Sequence, residues 1–292
     1  MKDELTNLSV IKDLLARHGF TFSKALGQNF IVNPGICPKI AELGGAAGDV
    51  GVIEIGTGIG VLTAQLAARA QKVVAIELDT RLMPILKETL AEFDNVTILN
   101  QDVMKTDLHQ VIREHFDGMR VVVCANLPYY ITSPILMNLL ESRLPIEAVT
   151  VMVQKEAAQR ICAAPGTRQA GAISVAVHYY SQPKILFPVS RGSFLPSPDV
   201  DSCVIRLDIL SKPPIAVPDV ALFFRIVRGA FSQRRKTILN GVCAALGCSK
   251  DTVRAMLEEA QISPTARAEQ LELPQLGALA QAASRQLSSH LQ

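Results

Sequence analysis

The segment VGVIEIGTGIG, residues 50–60, joins an apolar run to three closely spaced glycines. A mostly apolar run of this length is typical of a strand that is buried on both faces of a sheet. The glycines favour a tight turn at the end of the strand, where backbone amides can approach a ligand. The segment therefore predicts the first strand–turn–helix unit of a parallel α/β sheet, with a nucleotide-like ligand at the turn.

The same alternation of strand and helix patterns continues along the chain. Four further apolar runs are predicted to be strands: 72–79, 95–102, 120–127 and 147–154. Helical patterns lie between them, at 61–69, 81–93 and 134–143. This order predicts an α/β fold with a Rossmann-like, doubly wound parallel sheet.

The later part of the chain has a different pattern. Residues 171–181 favour a helix, although a strand is also compatible, and residues 185–189 and 202–209 resemble a late strand pair. Three prolines within residues 211–219 predict a stiff linker. Helical patterns then follow at 220–245, 250–260 and 274–287. We therefore expect a domain over residues 1–210, a linker over 211–219 and a small all-helical domain over 220–292.

The composition excludes several classes of protein. The chain has 292 residues, of which 49% are hydrophobic and 19% charged, as in a globular protein. The longest uncharged stretch, residues 121–140, contains two prolines and four polar residues, which argues against a membrane span. The start of the chain lacks the pattern of a signal peptide, so a cytoplasmic location is expected. The six scattered cysteines and five histidines have no metal-ligand spacing, so neither disulfides nor a metal site is expected.

Two carboxylates follow strands next to the glycine turn. Glu77 ends the second predicted strand, where an acid can accept hydrogen bonds from both hydroxyls of a ribose. Asp102 ends the third, where it can accept from the exocyclic amine of an adenine. Ligands of open α/β sheets bind at the carboxyl ends of the strands, so these positions predict an adenosine-containing cofactor. Val61 departs from the dinucleotide fingerprint, which disfavours a nicotinamide cofactor.

The fourth predicted strand ends in Asn126-Leu127-Pro128-Tyr129, which resembles the motif of N6-adenine methyltransferases that use S-adenosylmethionine. Asn126 and the Leu127 backbone offer carbonyl acceptors for the amine of a flipped adenine, and Tyr129 offers an aromatic face. Because asparagine is not a general base, catalysis in this interpretation depends on positioning and hydrogen-bond polarisation. Phe194, in a proline-rich loop, is predicted to provide a second aromatic platform for the base.

Four motifs together resemble the KsgA/RsmA family of bacterial small-subunit rRNA adenine dimethyltransferases. They are KALGQNF at residues 24–30, NLPYYITSP at 126–134, FLPSPDVDS at 194–202 and FSQRRKTILN at 231–240. The resemblance covers nearly the whole chain. It implies S-adenosylmethionine as cofactor and, as substrate, two adjacent adenines in the 3′-terminal hairpin loop of 16S rRNA, each methylated twice.

The resemblance also implies roles for individual residues. The expected cofactor-binding residues are Gln28, Asn29, Ile31 through its backbone, Gly56, Gly58, Glu77, Asp102 and Asn126. The domain over residues 1–210 would then be catalytic, and the helical domain would select RNA. The expected partner is 16S rRNA within the small ribosomal subunit or its precursor, and the protein is expected to be monomeric and without membrane contact.

A basic cluster in the helical region is the predicted RNA-binding surface. It comprises Arg225, Arg228, Arg234, Arg235 and Lys236, with no acid among them. Such a run is ordinarily a solvated helix face, but next to an RNA-methylating domain it favours phosphate contact. Lys155 and Arg160 could extend this surface.

Three alternatives remain at this point. The nearest is a 23S rRNA adenine methyltransferase of the macrolide-resistance type, against which stand the nearly balanced charge and the FSQRRKTILN motif. A second is a ribosome-assembly factor that uses methylation as a release step. A third, a nicotinamide oxidoreductase, is disfavoured by Val61 and by the lack of a candidate hydride-transfer acid.

Overall fold

The computed structural model describes residues 5–23, 26–233 and 236–289. The chain forms two compact units. The first comprises residues 1–158 and 184–209, and the second comprises residues 159–183 and 210–292.

A seven-stranded sheet is the centre of the first unit. Its strands are β2 (Val50–Ile55), β3 (Lys72–Glu77), β4 (Val96–Asn100), β5 (Arg120–Asn126), β6 (Ala148–Gln154), β7 (Ser181–Val189) and β9 (Ser202–Ile209). The strand order is β4-β3-β2-β5-β6-β9-β7. The first five strands in that order run parallel, and β9 pairs antiparallel with β6.

Helices cover this sheet because its central strands are mostly apolar and buried. Every residue of β2 is buried. The helices of this unit are α1 (Leu8–Arg17), α2 (Ile36–Leu43), α3 (Val61–Ala67), α4 (Met83–Thr89), α5 (Leu108–His115) and α6 (Thr132–Glu141). Helix α7 (Lys155–Cys162) begins in this unit and ends in the second. Alternate strand residues, such as Val50 and Val52, join one apolar cluster with side chains of α1 to α4.

A second, two-stranded sheet joins distant parts of the first unit. Strand β1 (Phe30–Ile31) pairs antiparallel with β8 (Phe194–Leu195). Ile31 lies opposite Phe194 in this pairing, and Phe30 lies opposite Leu195.

The second unit is helical. Its helices are α8 (Ala172–Tyr180), α9 (Val220–Phe231), α10 (Ile238–Leu246), α11 (Lys250–Glu259) and α12 (Leu273–Ser289). Four aromatic rings, Tyr179, Tyr180, Phe223 and Phe224, join α8 to α9, with neighbouring centroids 4.9–5.4 Å apart. Helices α9 and α10 cross so closely that a Cβ at Gly229 would overlap Ala245.

The predicted fold class is confirmed, as are the five parallel strands, the helix over 172–180 and the adjacent late strands β7 and β9. The predicted single helix over 220–245 is wrong, because the chain leaves α9 after Phe231 and begins α10 at Ile238.

The predicted division into domains also differs from the structure. Residues 159–183, which we expected in the first domain, belong to the second unit. They do so because the apolar residues of α8 pack against α9. Residues 211–219 belong to the second unit as well, since Ile215 lies against Gly277 and the Gln281 side chain donates to the Ala216 carbonyl at 3.2 Å.

No helix within the described residues is both long and apolar enough to cross a membrane. None of the six cysteines, all of which lie within the described residues, forms a disulfide. The described residues contain no group of three or more histidine, cysteine or acidic side chains that could hold a metal ion.

Candidate active site

The carboxyl ends of the central parallel strands meet at one cavity. The chain continues from β2 outward to β3 and β4, then returns to the other side of β2 as β5. Such a reversal of strand order leaves a crevice between the two diverging connections, where ligands of open sheets bind. The cavity lies there and is lined by residues at or just after the ends of β2, β3, β4 and β5, together with residues 26–31.

The glycine turn after β2 forms part of the cavity wall. Gly56, Gly58 and Gly60 have φ angles of +77°, +56° and +89°, a region that favours glycine. A Cβ at Gly58 would lie only 3.1 Å from the Phe30 ring, so this position also needs the absence of a side chain. The turn therefore presents bare backbone to the cavity.

Glu77 fastens this turn to the end of β3. One carboxylate oxygen accepts from the Thr57 hydroxyl at 3.0 Å and from the Gly58 amide at 3.2 Å. The other accepts from the Asp79 amide at 2.8 Å. Glu77 is 7% exposed and lines the cavity, so it both supports the turn and presents a charged acceptor to a ligand.

An ion pair that the sequence analysis missed holds the chain before β1. Arg81 contacts both carboxylate oxygens of Asp79, at 2.9 and 2.6 Å, and lowers the pKa of that carboxyl. Gln28 donates to Asp79 at 2.8 Å and accepts from the Ser23 amide, while Arg81 also donates to the Thr21 carbonyl. Gln28 lines the cavity, and these contacts tie Thr21, Ser23 and Gln28 to the end of β3.

Asp102 lies just beyond β4 on the same side of the cavity. One carboxylate oxygen accepts from the Met104 amide at 3.0 Å, and the other is 3.9 Å from Lys105 Nζ. The Asp102 side chain is 31% exposed, so acceptor capacity remains for a ligand.

Asn126 lies at the end of β5, facing residues 27–31. Its side-chain amide donates to the Asn29 carbonyl at 3.2 Å, and the Asn29 side chain donates to the Gly27 carbonyl at 3.1 Å. With its nitrogen engaged in this way, Asn126 keeps its side-chain carbonyl oxygen as an acceptor. This arrangement connects the predicted target-base motif with the predicted cofactor loop.

The three residues after Asn126 have different roles in the structure. Leu127 is 1% exposed and its amide donates to the Met152 carbonyl at 3.3 Å, which fixes the backbone at the end of β5. Pro128 leads into a 3₁₀ turn over Tyr129–Ile131. The Tyr129 hydroxyl is 2.6 Å from Ser202 Oγ, and burial raises the pKa of Tyr129 above its ordinary value.

The structure does not bring Phe194 to the cavity. Its side chain is only 4% exposed, packs in the apolar core and is outside the cavity lining. Pairing of β8 with β1 turns this ring inward, so the expectation of a second stacking platform at Phe194 is corrected.

The remaining predicted cofactor and target-base residues share the cavity. They are Gln28, Asn29, Ile31, Gly56, Gly58, Glu77, Asp102, Asn126, Leu127, Pro128 and Tyr129. The cavity is also lined by Thr57, Leu78 and Tyr130, to which the sequence analysis assigned no role. Tyr130 had a readable signal, since it is the second of two aromatic residues in NLPYY.

The predicted RNA-binding cluster is described only in part. Arg225 and Arg228 are exposed on α9, and Lys236 is exposed between α9 and α10, whereas Arg234 and Arg235 lie outside the described residues. Arg225 also donates to the Ala245 carbonyl at 2.8 Å, so part of its role is structural. Lys155 and Arg160 are exposed on α7.

One acid beneath the site is fully buried. Glu54, in β2, is 0% exposed, and neither of its carboxyl oxygens has a hydrogen-bond partner among the described residues. Burial raises the pKa of Glu54 to about 8, so this carboxyl is mostly protonated at neutral pH.

Comparison with known proteins places the chain in a family. The family model described as "Ribosomal RNA adenine dimethylase" matches residues 19–283. The chain is 50% identical over 276 residues to "Ribosomal RNA small subunit methyltransferase A" of Geobacillus thermodenitrificans, covering 93% of this chain and 94% of the relative. The protein of that name from Alkaliphilus oremlandii is 44% identical over 286 residues, covering 98% of this chain and 100% of the relative.

Two solved structures are similar over most of the chain. A dimethyladenosine transferase from Plasmodium falciparum has a TM-score of 0.73 at 25% identity, covering 88% of this chain and 98% of its own. The 23S rRNA methyltransferase ErmE has a TM-score of 0.66 at 25% identity, covering 88% of this chain and 100% of its own. From the family match and the high identity over nearly full length, the chain belongs to the ribosomal RNA adenine dimethylase family and is an S-adenosylmethionine-dependent rRNA adenine dimethyltransferase.

Proposed function

We propose that this enzyme dimethylates, at N6, two adjacent adenines in the 3′-terminal hairpin loop of 16S rRNA during late small-subunit biogenesis. The observation that carries the proposal is that Asn126 and Tyr129 line the same cavity as Glu77 and Asp102. Acceptors for a target amine and acceptors for an adenosine cofactor are thus within one site, as direct transfer requires.

The cofactor side of the cavity suits S-adenosylmethionine. The bare backbone at Gly56 and Gly58 leaves room for a close approach, Glu77 would accept from ribose hydroxyls and Asp102 from the adenine amine. Gln28, Asn29 and the Ile31 backbone would enclose the same ligand. When bound, the cofactor supplies the methyl group.

The target side of the cavity suits an extruded adenine. The Asn126 side-chain carbonyl and the Leu127 backbone carbonyl would accept from the adenine amine, and Tyr129, anchored to Ser202, would hold the base by stacking. Two acceptors on one amine favour a pyramidal nitrogen with its lone pair directed at the methyl group. These groups act by positioning and polarisation, and the proton leaves after transfer.

We infer the small-subunit target from the names of the more similar relatives. Relatives that are 44–50% identical bear the name small subunit methyltransferase A, whereas the 23S rRNA methyltransferase is 25% identical. The second unit, with exposed Arg225, Arg228 and Lys236, would contribute to RNA selection through phosphate contacts. We expect a monomeric, cytoplasmic enzyme that acts on the small subunit or its precursor.

Methyl transfer from labelled S-adenosylmethionine tests the proposal. Unmethylated small subunits and large subunits are offered separately, and the modified base is mapped by primer extension. We expect label on two adjacent adenines near the 3′ end of 16S rRNA, with Asn126→Ala as the inactive control. Label in the large subunit would support the 23S alternative. Undiminished assembly function in an inactive but folded Asn126→Ala protein would favour a role chiefly as an assembly factor.

A further inference from the structure

Tyr130 is the most exposed of the large apolar and aromatic side chains at the cavity. It is 60% exposed, lines the cavity and directly follows Tyr129. A single exposed apolar residue is ordinary on a protein surface. An aromatic ring at the mouth of a nucleobase site is different, because it offers a free π-face where RNA must pass.

The backbone at Tyr130 is well fixed. Tyr130 is the middle residue of the 3₁₀ turn Tyr129–Ile131, which leads directly into α6. The Ile131 amide and the Thr132 hydroxyl each donate to the Pro128 carbonyl at 3.2 Å. One edge of the Tyr130 ring lies against Gly27, where a Cβ would be 3.4 Å from Cδ1. The ring is therefore supported on one side, while most of the residue's surface is exposed.

Tyr129 and Tyr130 cannot both stack on the same base. Consecutive residues of a 3₁₀ turn are separated by roughly 120° around its axis, because the turn has about three residues. Tyr129 is directed to Ser202 by its hydroxyl contact of 2.6 Å, so Tyr130 faces elsewhere. Phe194 is buried in the core and offers no second face. Two successive nucleotides could instead each meet one of the two tyrosines.

We infer that Tyr130 stacks on the nucleotide adjacent to the target adenine in the single-stranded rRNA loop. This inference rests on the proposed function. When the target base is extruded, its neighbour loses a stacking partner, and a fixed aromatic ring at the cavity mouth replaces that partner. Base–aromatic stacking tolerates any base, so Tyr130 would support either of two adjacent adenines while the other is methylated.

The inference predicts an effect on RNA binding and not on the chemical step. Loss of one base-stacking contact weakens binding by about 5- to 150-fold. Tyr130→Ala should therefore raise the KM for small subunits by that factor, while kcat at saturating RNA and the calorimetric affinity for S-adenosylmethionine stay within about twofold. Tyr130→Phe, which keeps the π-face, should restore the KM. Leu8→Ala, at a residue 48% exposed on α1, is the control for loss of an exposed apolar side chain.

A fluorescence measurement reports stacking directly. In a hairpin substrate with 2-aminopurine next to the target adenine, the parent protein and Tyr130→Phe should quench the probe, and Tyr130→Ala should not. Equal quenching by all three proteins, or an unchanged KM for Tyr130→Ala, overturns the inference. So does a KM effect accompanied by weaker cofactor binding, since the ring would then act by supporting Gly27.

Failure of the proposed function would give a different result from failure of the Tyr130 inference. It appears as methylation of the large subunit by the parent protein. The Tyr130 test compares each variant with the parent on whichever RNA accepts the methyl group, so the two results are independent.

Discussion

Glu77 has two roles, and its replacement should separate them. Glu77→Ala removes a charged acceptor from the cavity, and a hydrogen bond to a charged group is worth ~1.5–3 kcal/mol, or about 10- to 150-fold in affinity for S-adenosylmethionine. It also removes the acceptor of three protein donors: the Thr57 hydroxyl and the amides of Gly58 and Asp79. At about 1 kcal/mol for each donor, the free energy of unfolding should fall by ~3 kcal/mol.

Two measurements give the two effects. Titration calorimetry gives the dissociation constant of S-adenosylmethionine, and thermal denaturation gives the stability, with ~3 kcal/mol corresponding to a fall of about 6–12 °C in Tm. Glu77→Gln keeps the shape and one carbonyl acceptor, so we expect a smaller fall in Tm with most of the loss in affinity. Glu147→Ala is the control, because Glu147 pairs with Arg120, the first residue of β5, at the opposite ends of the strands.

The result that refutes this reasoning is an unchanged affinity. If the folded Glu77→Ala protein binds S-adenosylmethionine as tightly as the parent, Glu77 only supports the glycine turn and is not a cofactor ligand. If the affinity falls without any fall in Tm, the three hydrogen bonds within the protein contribute nothing to stability.

Asn126→Ala should lower single-turnover methyl transfer by about 100-fold or more while RNA binding is kept, and transfer within about threefold of the parent would exclude a catalytic role. Glu54 has a pKa raised by burial from its ordinary 4.5 to about 8, so the native state keeps a proton that the unfolded chain releases between those values. Stability is therefore lost as pH rises through this window, by up to ~1.4 kcal/mol per pH unit, and levels off above it. Glu54→Gln should become more stable relative to the parent from pH 5 to pH 8 in thermal denaturation, whereas parallel pH profiles would contradict a buried neutral carboxyl. Replacing both Arg234 and Arg235 by alanine should weaken binding to small subunits and leave the affinity for the cofactor unchanged. The slope of log affinity against log salt concentration should become shallower by roughly 1.4–1.8. An unchanged slope would mean that neither arginine contacts phosphate.

The sheet and its ligand edge could be predicted because their determinants are local. A strand buried on both faces is a continuous apolar run, and the residue at which the run ends lies at the ligand edge whatever the rest of the fold does. Glu77 and Asn126 are the last residues of β3 and β5. Their convergence then follows from parallel strand order, which needs no knowledge of side-chain packing.

The division into units depends on contacts that the local pattern does not contain. Helix α8 has an apolar composition that would suit either unit, and its aromatic contacts with Phe223 and Phe224 assign it to the second. The helical periodicity of residues 220–245 does not show that α9 ends at Phe231 and that α10 begins only at Ile238. The placement of Arg225 within α9 and of Lys236 before α10 therefore could not be read from their spacing.

Phe194 and Tyr130 show why burial was the hardest property to predict. A proline-rich loop around Phe194 suggested exposure, yet pairing with Ile31, 163 residues away in the chain, buries that ring. Tyr130 is in the uncharged stretch 121–140, from which the sequence analysis assigned it no role, and a short 3₁₀ turn between β5 and α6 leaves it 60% exposed. A long-range strand pairing buries Phe194, and a single 3₁₀ turn leaves Tyr130 exposed. Of these two rings, Tyr130 lines the cavity and Phe194 does not. Tyr130 is therefore the ring that we propose to stack on a neighbouring nucleotide.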